Sequence, residues 1–423
     1  MRNSSKDNLP RGLKPVQRIE LSEKNKKVRI VLLIVFAVIA LGAFGFAIFS
    51  SLHTEDGWYS IQVQSAEDHC GDDFIFNYYV ADSEVSAKTQ YDRITALYSE
   101  AAVKAYRMFH AEEAFADVNN LYSINTHAGE TLVVDEILYR AFELLEQKGS
   151  RYLYFGPLYE EYALRFFGYG QAAIAENDDP YVNTELAAYF AELAAFANDP
   201  ASVQLELLGE NRVRLLVSEE YAEFAEENGF DRFLDFFRIK NAFVVDFLAE
   251  TMLENGYSYG AISSYDGYTR TLDQKHVYAY TLFDRRDQVV SAIATLSYQN
   301  GGSLVYLRNY PMSEQESFFY YASERLTIPP MFNPANGLYQ TATNGMIGYS
   351  KTLGCAETVL DLMPLYTAEE VDVVEMLALN GREIATVWCE DHCVCYTDQA
   401  FSPKLLITDG EYAYESVFVT EDR

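Results

Sequence analysis

Residues 233–247 read FLDFFRIKNAFVVDF, and this stretch marks a change in the kind of structure that the chain forms. Its first residues are apolar and predict a short buried strand. The residues that follow predict a helix, whose apolar positions continue through Leu248 and Met252. Gly256 is typical of a residue at which such a helix ends. The stretch therefore predicts a strand that runs directly into a helix.

Three amphipathic helices are predicted before this junction. Residues 91–111 carry apolar side chains at helical spacing. A second helix is expected to begin after Asp135, which is a typical capping residue, and to end at Gly149. A third begins at Thr184. Residues 116–134, between the first and second helices, are expected to form a loop.

The hydrophobic period changes from helical spacing to two around the turn GEN at residues 209–211. The alternating apolar residues predict a β-hairpin and are Val203, Leu205, Leu207, Val213, Leu215 and Val217. Residues 278–310 predict three more antiparallel strands, and the last fifty residues also alternate as strands. Because helices and antiparallel strands occur in blocks, the expected fold class is α+β, with antiparallel sheets and packed helices.

Residues 29–52 have no charge after Arg29, and about 20 apolar residues are enough to cross a bilayer. Basic residues precede the apolar run, namely Lys24, Lys26, Lys27 and Arg29. We therefore expect a basic cytoplasmic tail over 1–28, a single transmembrane anchor over 29–52, and an extracellular C-terminal domain. A cleaved signal peptide is the alternative, but the run is long for one and no small-residue cleavage site stands out.

The charge of the chain limits its partners. The 423 residues carry a net charge of −31, although 49% of them are hydrophobic. The first 29 residues hold 9 basic and 3 acidic side chains, which leaves 23 basic and 60 acidic residues, a net charge near −37, beyond them. Such a surface repels phosphate backbones, so nucleic acid is excluded as an expected partner.

Three of the five cysteines lie in CEDHCVC, residues 389–395. Cys389, His392, Cys393 and Cys395 have the residue types of a tetrahedral metal site, but the repeated CxxC spacing is absent. Cys393 and Cys395 would share one face of a strand, so buried thiols or a disulfide are the alternative.

An ordered series of motifs resembles the FAD:protein FMN transferase (ApbE-like) family. The motifs are NNLYSINTHAGETLVVDEILYRAFELL (119–145), GPLYEEY (156–162), the hairpin, DFFRIKNAFVVDFLAETMLENGYSYGAISSYDGYTRTL (235–272), PMFNPANGLYQ (330–340) and CAETVLDLMPLY (355–366). The resemblance implies a T-fold-related, flavin-transferase-like domain over 90–370, with a stalk and first strands over 53–89 and completing strands over 371–423. It also implies Mg²⁺-dependent transfer of FMN from FAD to a Thr or Ser hydroxyl of an acceptor protein.

The junction is similar to the family pattern D-L-G-G-I-A-K-G-Y-A-V-D, but several of its ligand-facing positions differ. Asp235 and Asp246 match the pattern. The departures are Phe237 and Arg238 for the glycine pair, Asn241 for the lysine and Ala242 for the next glycine. Lys240 is one residue from the lysine position, about 100° away on a helix.

Other family positions are also partly kept. Gly267 retains half of a glycine pair ahead of Arg270, and the turn at Asn333 and Gly337 matches, whereas Pro330 replaces a histidine. The resemblance thus implies a set of flavin-nucleotide contacts at Asp235, Lys240, Asn241, Asp246, Gly267, Arg270, Asn333 and Gly337.

Glu357 and Asp361 correspond to the family's metal motif. Carboxylates four residues apart lie on one helical face and suit Mg²⁺ or Ca²⁺, although a solvated acidic helix face is the plainer interpretation. Two functions remain open at this point. One is a non-catalytic or altered descendant that binds a partner protein or a nucleotide-like ligand, and the other is an active FMN transferase.

The predicted topology can be tested in intact cells. Protease added outside should digest the C-terminal domain and spare a tag fused before Met1, because the basic residues hold the N-terminus inside. Immunoblots against both ends measure this, with lysed cells as the control in which the tag is also digested. A C-terminal domain that survives in intact cells contradicts the orientation.

Overall fold

The computed structural model describes residues 56–65, 69–81, 85–167, 178–286, 289–299, 301–322, 326–410 and 413–420. The predicted tail and the predicted anchor at 29–52 lie outside these residues. Within the described ranges, no helix is both long and apolar enough to cross a membrane.

Ten α-helices are found in the described part of the chain. They are α1 (Ala87–Met108), α2 (Leu121–Thr126), α3 (Glu136–Gln147), α4 (Gly156–Phe166), α5 (Thr184–Asn198), α6 (Glu219–Asn228), α7 (Lys240–Glu254), α8 (Glu314–Ser317), α9 (Cys355–Tyr366) and α10 (Val373–Ala378). The helices predicted around 91–111, after Asp135 and from Thr184 are therefore present, and the Asp135 side chain accepts a hydrogen bond from the Ile137 N–H as expected of a cap.

The strands form one large sheet and several small ones. They are β1 (Gly57–Ile61), β2 (Phe74–Val80), β3 (Thr131–Val133), β4 (Val203–Leu207), β5 (Arg212–Val217), β6 (Gly260–Ser264), β7 (Tyr268–Thr271), β8 (Val277–Arg286), β9 (Val289–Gln299), β10 (Ser303–Arg308), β11 (Tyr321–Ala322), β12 (Thr327–Ile328), β13 (Gly345–Ser350), β14 (Ile384–Glu390), β15 (Cys393–Tyr396), β16 (Lys404–Leu405) and β17 (Glu415–Phe418).

The large sheet has nine described strands in the order β1-β2-β6-β7-β10-β13-β14-β15-β17. Every neighbouring pair is antiparallel except β15 and β17, which are parallel. The smaller sheets have the orders β16-β9-β8, β3-β5-β4 and β11-β12. The protein thus has a mixed α+β fold of antiparallel sheets and packed helices, as predicted.

The large sheet is covered differently on its two faces. Helices α1, α7 and α9 pack on one face, where Val305 and Leu307 of β10 join the main core. The intervening Leu304 and Tyr306 point to the other face and belong to a second core, which also contains residues of β8 and β9. This alternation of side chains along β10 allows both faces to be buried at the middle of the sheet.

The strand predicted at the start of the junction is wrong. Residues 231–236 form neither a strand nor a helix, and a 3-10 turn over Phe237–Ile239 leads into α7. The reason is that Asn125 takes the place of a neighbouring strand. Its side chain accepts a hydrogen bond from the Leu234 N–H and donates one to the Leu234 carbonyl. Both backbone groups are satisfied without a sheet.

Three further segments differ from the sequence predictions. The predicted loop at 116–134 contains α2 and β3, and α4 was not predicted. The last fifty residues begin with α10, which Asp372 caps by accepting from the Val374 and Glu375 N–H groups, before the strands follow. Three of these elements, α2, β3 and α10, have six residues or fewer and give little periodicity, so local contacts of this kind decide them. Helix α4 has 11 residues, so its length does not explain why it was not predicted.

The hairpin of β4 and β5 makes the fold testable. Leu205 is 4% exposed in the main core, whereas Leu216 in the paired strand is 40% exposed. We expect Leu205→Ala to lower the free energy of unfolding by about 2–5 kcal/mol, because it leaves a cavity. Urea unfolding measures the change, and Leu216→Ala is the matched control with an expected change below about 0.5 kcal/mol. Equal losses in the two variants would show that the strand register is wrong.

Candidate functional site

The turn before α7 is closed by its own side chains. Phe237 occupies the first glycine position of the family pattern and has a φ of +40°, a conformation that non-glycine residues rarely adopt. Its ring stacks on Tyr159 at 4.4 Å between centroids and lies 6.2 Å from Phe167 and 6.5 Å from Phe319. The backbone therefore keeps a glycine-like shape, while an aromatic side chain fills the adjoining space.

Asp235 supports this turn. Its carboxylate accepts a hydrogen bond from the Phe237 N–H at 2.8 Å and lies 3.3 Å from the Arg232 guanidinium. Arg232 also pairs with Glu112 at 2.8 Å. The carboxylate is therefore engaged in holding the turn in place.

Arg238 occupies the second glycine position and is 6% exposed. Its guanidinium lies 3.7 Å from Glu316, which also pairs with Arg308 at 2.8 Å, and 5.4 Å above the Phe319 ring. Burial alone would lower the pKa of Arg238, but the nearby carboxylates of Asp266 and Glu316 raise it. The residue is a charged group held inside the protein by carboxylates.

The first turn of α7 offers little positive charge for a phosphate. Lys240 Nζ lies 3.9 Å from Asp73 Oδ2, so the lysine faces β2. Asn241, at the lysine position of the family pattern, is buried, and its Oδ1 has no hydrogen-bond partner among the described residues. Burial raises the pKa of Asp73, although the Lys240 ammonium lowers it.

Gly267 has a structural role in the observed fold. Its φ is +110°, and a Cβ at this position would collide with the Tyr306 carbonyl of β10. Its own carbonyl accepts a hydrogen bond from the Tyr306 N–H at 2.8 Å. Glycine is required here because two backbones meet.

Asp246, Arg270 and Glu357 come together at a cavity of about 380 Å³ between α3, α7 and α9. The Asp246 carboxylate accepts hydrogen bonds from the Cys355 and Ala356 N–H groups, both at 2.8 Å. Arg270 donates to the Leu353 carbonyl at 2.6 Å. Burial raises the pKa of Asp246 to about 6, although the Arg270 charge and the two N–H groups lower it. Only these three predicted residues meet at one cavity.

The donor set of the predicted metal site does not fit Mg²⁺. Asp361 is already paired with Lys148 at 2.7 Å and with Arg382 at 3.3 Å, so its charge is neutralised. Glu357 lies on the cavity wall one helical turn away. No group of three or more His, Cys, Asp or Glu side chains that could hold a metal is found among the described residues. The metal assignment stays a prediction that these contacts disfavour.

The turn at Asn333 and Gly337 is formed as the motif suggests. The Gly337 N–H donates to the Asn333 carbonyl at 2.8 Å, and the Asn333 side chain accepts from the Ala335 N–H. Tyr162 of α4 donates to the Gly337 carbonyl at 2.9 Å, which fixes the turn against the helices. This turn does not line the cavity that holds Asp246.

The cysteines of the CEDHCVC segment lie on two neighbouring strands of the large sheet. Cys389 is buried, and Cys393 and Cys395 are partly buried. Cys389 lies on β14, whereas Cys393 and Cys395 lie on β15 with the turn containing His392 between the strands. For Cys389 and Cys393 the structure agrees with the interpretation as thiols.

Sequence reasoning missed the residues that close the site. Asp73, Arg308 and Glu316 had no motif, and Glu316 is in a four-residue helix that reads as a polar loop. The one available signal was Arg238 itself, because a charged residue in place of a glycine beside apolar neighbours needs a buried partner.

The chain is similar to known proteins in its structure, whereas its sequence matches none of those compared. No protein-family model matches the sequence, and no curated protein sequence matches it. The ApbE protein of Thermotoga maritima matches in structure with a TM-score of 0.54 and 12% identity, over 82% of this chain and 96% of that chain.

Two flavin transferases are also similar in structure. A mutant of the flavin transferase ApbE from Vibrio cholerae has a TM-score of 0.49 and 12% identity, over 83% of this chain and 97% of that one. The apo form of the Pseudomonas stutzeri flavinyl transferase ApbE has a TM-score of 0.44 and 10% identity, over 83% and 96%. The resemblance predicted from the motif order is confirmed for the fold, on the Thermotoga maritima structure.

The raised pKa of Asp246 predicts an unusual pH dependence. The folded chain holds this proton more tightly than the unfolded chain, so the contribution to stability is present below about pH 4 and is lost as the pH rises to about 6. The loss is on the order of 3 kcal/mol, since one pKa unit corresponds to about 1.4 kcal/mol.

Urea unfolding of the wild type and of Asp246→Asn at about pH 4 and pH 7 measures this effect, because the amide does not titrate there. We expect the stability advantage of the wild type to shrink at the higher pH. An advantage that grows with pH would mean that the N–H groups and Arg270 outweigh the cost of burying the charge.

Proposed function

We propose that this chain is a membrane-anchored protein that carries a flavin-transferase fold outside the cell membrane but does not transfer FMN. The observation that carries the proposal is the closure of the turn before α7. Phe237 and Arg238 fill the glycine positions where the family pattern implies a close approach of the nucleotide. In this proposal the domain binds a partner protein or a nucleotide-like ligand instead of modifying an acceptor.

The chemistry of FMN transfer supports this reading. The hydroxyl oxygen of the acceptor must attack the phosphorus on the FMN side of the FAD pyrophosphate, with AMP as the leaving group. The developing charge on the phosphates needs cations nearby. Lys240 is directed to Asp73, and the Arg238 guanidinium is held by Glu316. Neither is free to take that role without breaking its ion pair.

The metal requirement supports the same proposal. Mg²⁺ prefers several oxygen ligands, and a carboxylate that already has two cationic partners is a poor one. Asp361 has Lys148 and Arg382 as such partners. The alternative function is an active transferase that uses Glu357 and Asp361 for Mg²⁺ and Lys240 or Arg270 on the phosphates. The ordered series of motifs is what favours it.

FMN transfer by the purified full-length chain tests the proposal. We expect no covalent flavin on a Thr-containing acceptor peptide with FAD and either Mg²⁺ or Ca²⁺, because each missing electrostatic contact costs on the order of 10²–10³ in rate. In-gel flavin fluorescence after denaturation is the measurement, and an ApbE flavin transferase run in parallel is the positive control.

Covalent flavin that the wild type transfers, and that is absent in the double variant Glu357→Gln with Asp361→Asn, would contradict the proposal. The matched control is Glu369→Gln with Glu370→Gln, an exposed acidic pair just after the same helix. If covalent flavin is lost in the Glu357→Gln, Asp361→Asn variant but not in the control variant, the metal is assigned to α9 and the chain is an active transferase.

A further inference from the structure

One end of the large sheet has an uncovered outer face. The second core, which lies between the large sheet and β8–β9, contains residues of β10, β13 and β14 but none from β1, β2 or β6. Along β2, Phe76, Tyr78 and Val80 point into the main core, while Ile75 and Asn77 are exposed. The outer face of β1, β2 and β6 is therefore left open by the described elements.

Aromatic side chains collect on this open face. We define the aromatic patch as Trp58, Tyr79, Tyr259 and His276. The Trp58 ring lies 5.7 Å from Tyr79 and 5.3 Å from Tyr259, and His276 stacks on Tyr259 at 4.3 Å. Trp58 is 53% exposed, whereas Trp388, the other tryptophan, is 1% exposed. Trp58 and His276 are exposed, and Tyr79 and Tyr259 between them are half-buried, so the patch offers ring surface to a partner.

The patch is amphipathic, as the bilayer interface requires. The Tyr259 hydroxyl and His276 Nε2 are within hydrogen-bond distance at 2.8 Å, and His276 Nδ1 contacts the Asp273 carboxylate. Apolar ring faces and polar ring edges are thus presented together. Trp and Tyr are enriched at membrane–water interfaces for this reason.

The position of the patch in the chain indicates what covers it. Trp58 follows the predicted anchor by six residues, because the apolar run ends at Leu52. Six residues span at most about 20 Å, so Trp58 is tethered close to the bilayer surface. The net charge of −31 disfavours anionic lipids, which leaves zwitterionic headgroups as the surface that fits.

We propose that the aromatic patch docks into the headgroup region of a zwitterionic bilayer and fixes the domain against the membrane. The proposal rests on the membrane anchor of the proposed function. The domain would then present its other surfaces in a fixed orientation instead of moving freely on its stalk.

Trp58 itself reports the docking. The full-length chain is reconstituted into phosphatidylcholine vesicles, with and without lipids that carry bromine close to the headgroup. We expect the bromolipids to quench the Trp58 emission, and the quenchable fraction to disappear in Trp58→Phe, because Trp388 is buried. Flotation of the vesicles establishes separately that the chain is anchored.

A matched control uses another exposed site. Val374 on α10 is 75% exposed, and Val374→Trp in the Trp58→Phe background should be reached by aqueous iodide but not quenched by bromolipid.

Vesicles that float the chain without quenching Trp58 overturn the docking and leave the anchor intact. Equal quenching at both sites overturns it as well, and a chain that does not float overturns the anchor together with the docking. Protection of Trp58 from iodide without bromolipid quenching means that another occupant, such as a second copy, covers the patch.

Discussion

The arrangement of the helical layer depends on one buried carboxylate, that of Asp246. It lies on α7, accepts hydrogen bonds from the first N–H groups of α9, and is close to Arg270 of β7. A helix N-terminus carries a partial positive charge, so the charged carboxylate interacts favourably with the start of α9. The Asp246 carboxylate thus connects α7, α9 and β7. Burying this carboxylate in its charged form is energetically costly. The cavity beside it is lined by residues of α3, α7 and α9.

The turn before α7 combines a positive φ at Phe237 with side chains that fill the space around it. A cavity left empty in the core costs stability in proportion to its volume. Phe237, Tyr159 and Phe319 fill the space with ring contacts, and Arg238 adds a charge that Glu316 must neutralise. The filling is imperfect, because Arg238 Nε and Asn241 Oδ1 are buried polar atoms with no hydrogen-bond partner among the described residues. Burying such atoms without a partner costs stability.

The long elements could be predicted from the sequence because their information is local. The hairpin of β4 and β5 and helix α5 follow from periodicity and turn residues. What could not be predicted are contacts between residues distant in sequence. The side chain of Asn125 replaces a strand partner for Leu234, and Lys148 neutralises Asp361 across 213 positions. These pairs decide whether a candidate ligand-binding side chain is still available. The motif order therefore predicted the fold, but it could not predict which site residues are already paired with other side chains.

The strand order also fixes how far the two ends of the sheet are separated. β1 and β17 form its opposite edges, with eight strand-to-strand steps between them. At about 4.8 Å a step, the last strand lies roughly 38 Å along the sheet from the first. The sheet therefore acts as a rigid spacer between its two edge strands. A protein that recognises the parallel pair β15 and β17 would be held at that distance from β1, which a flexible linker of similar length could not guarantee.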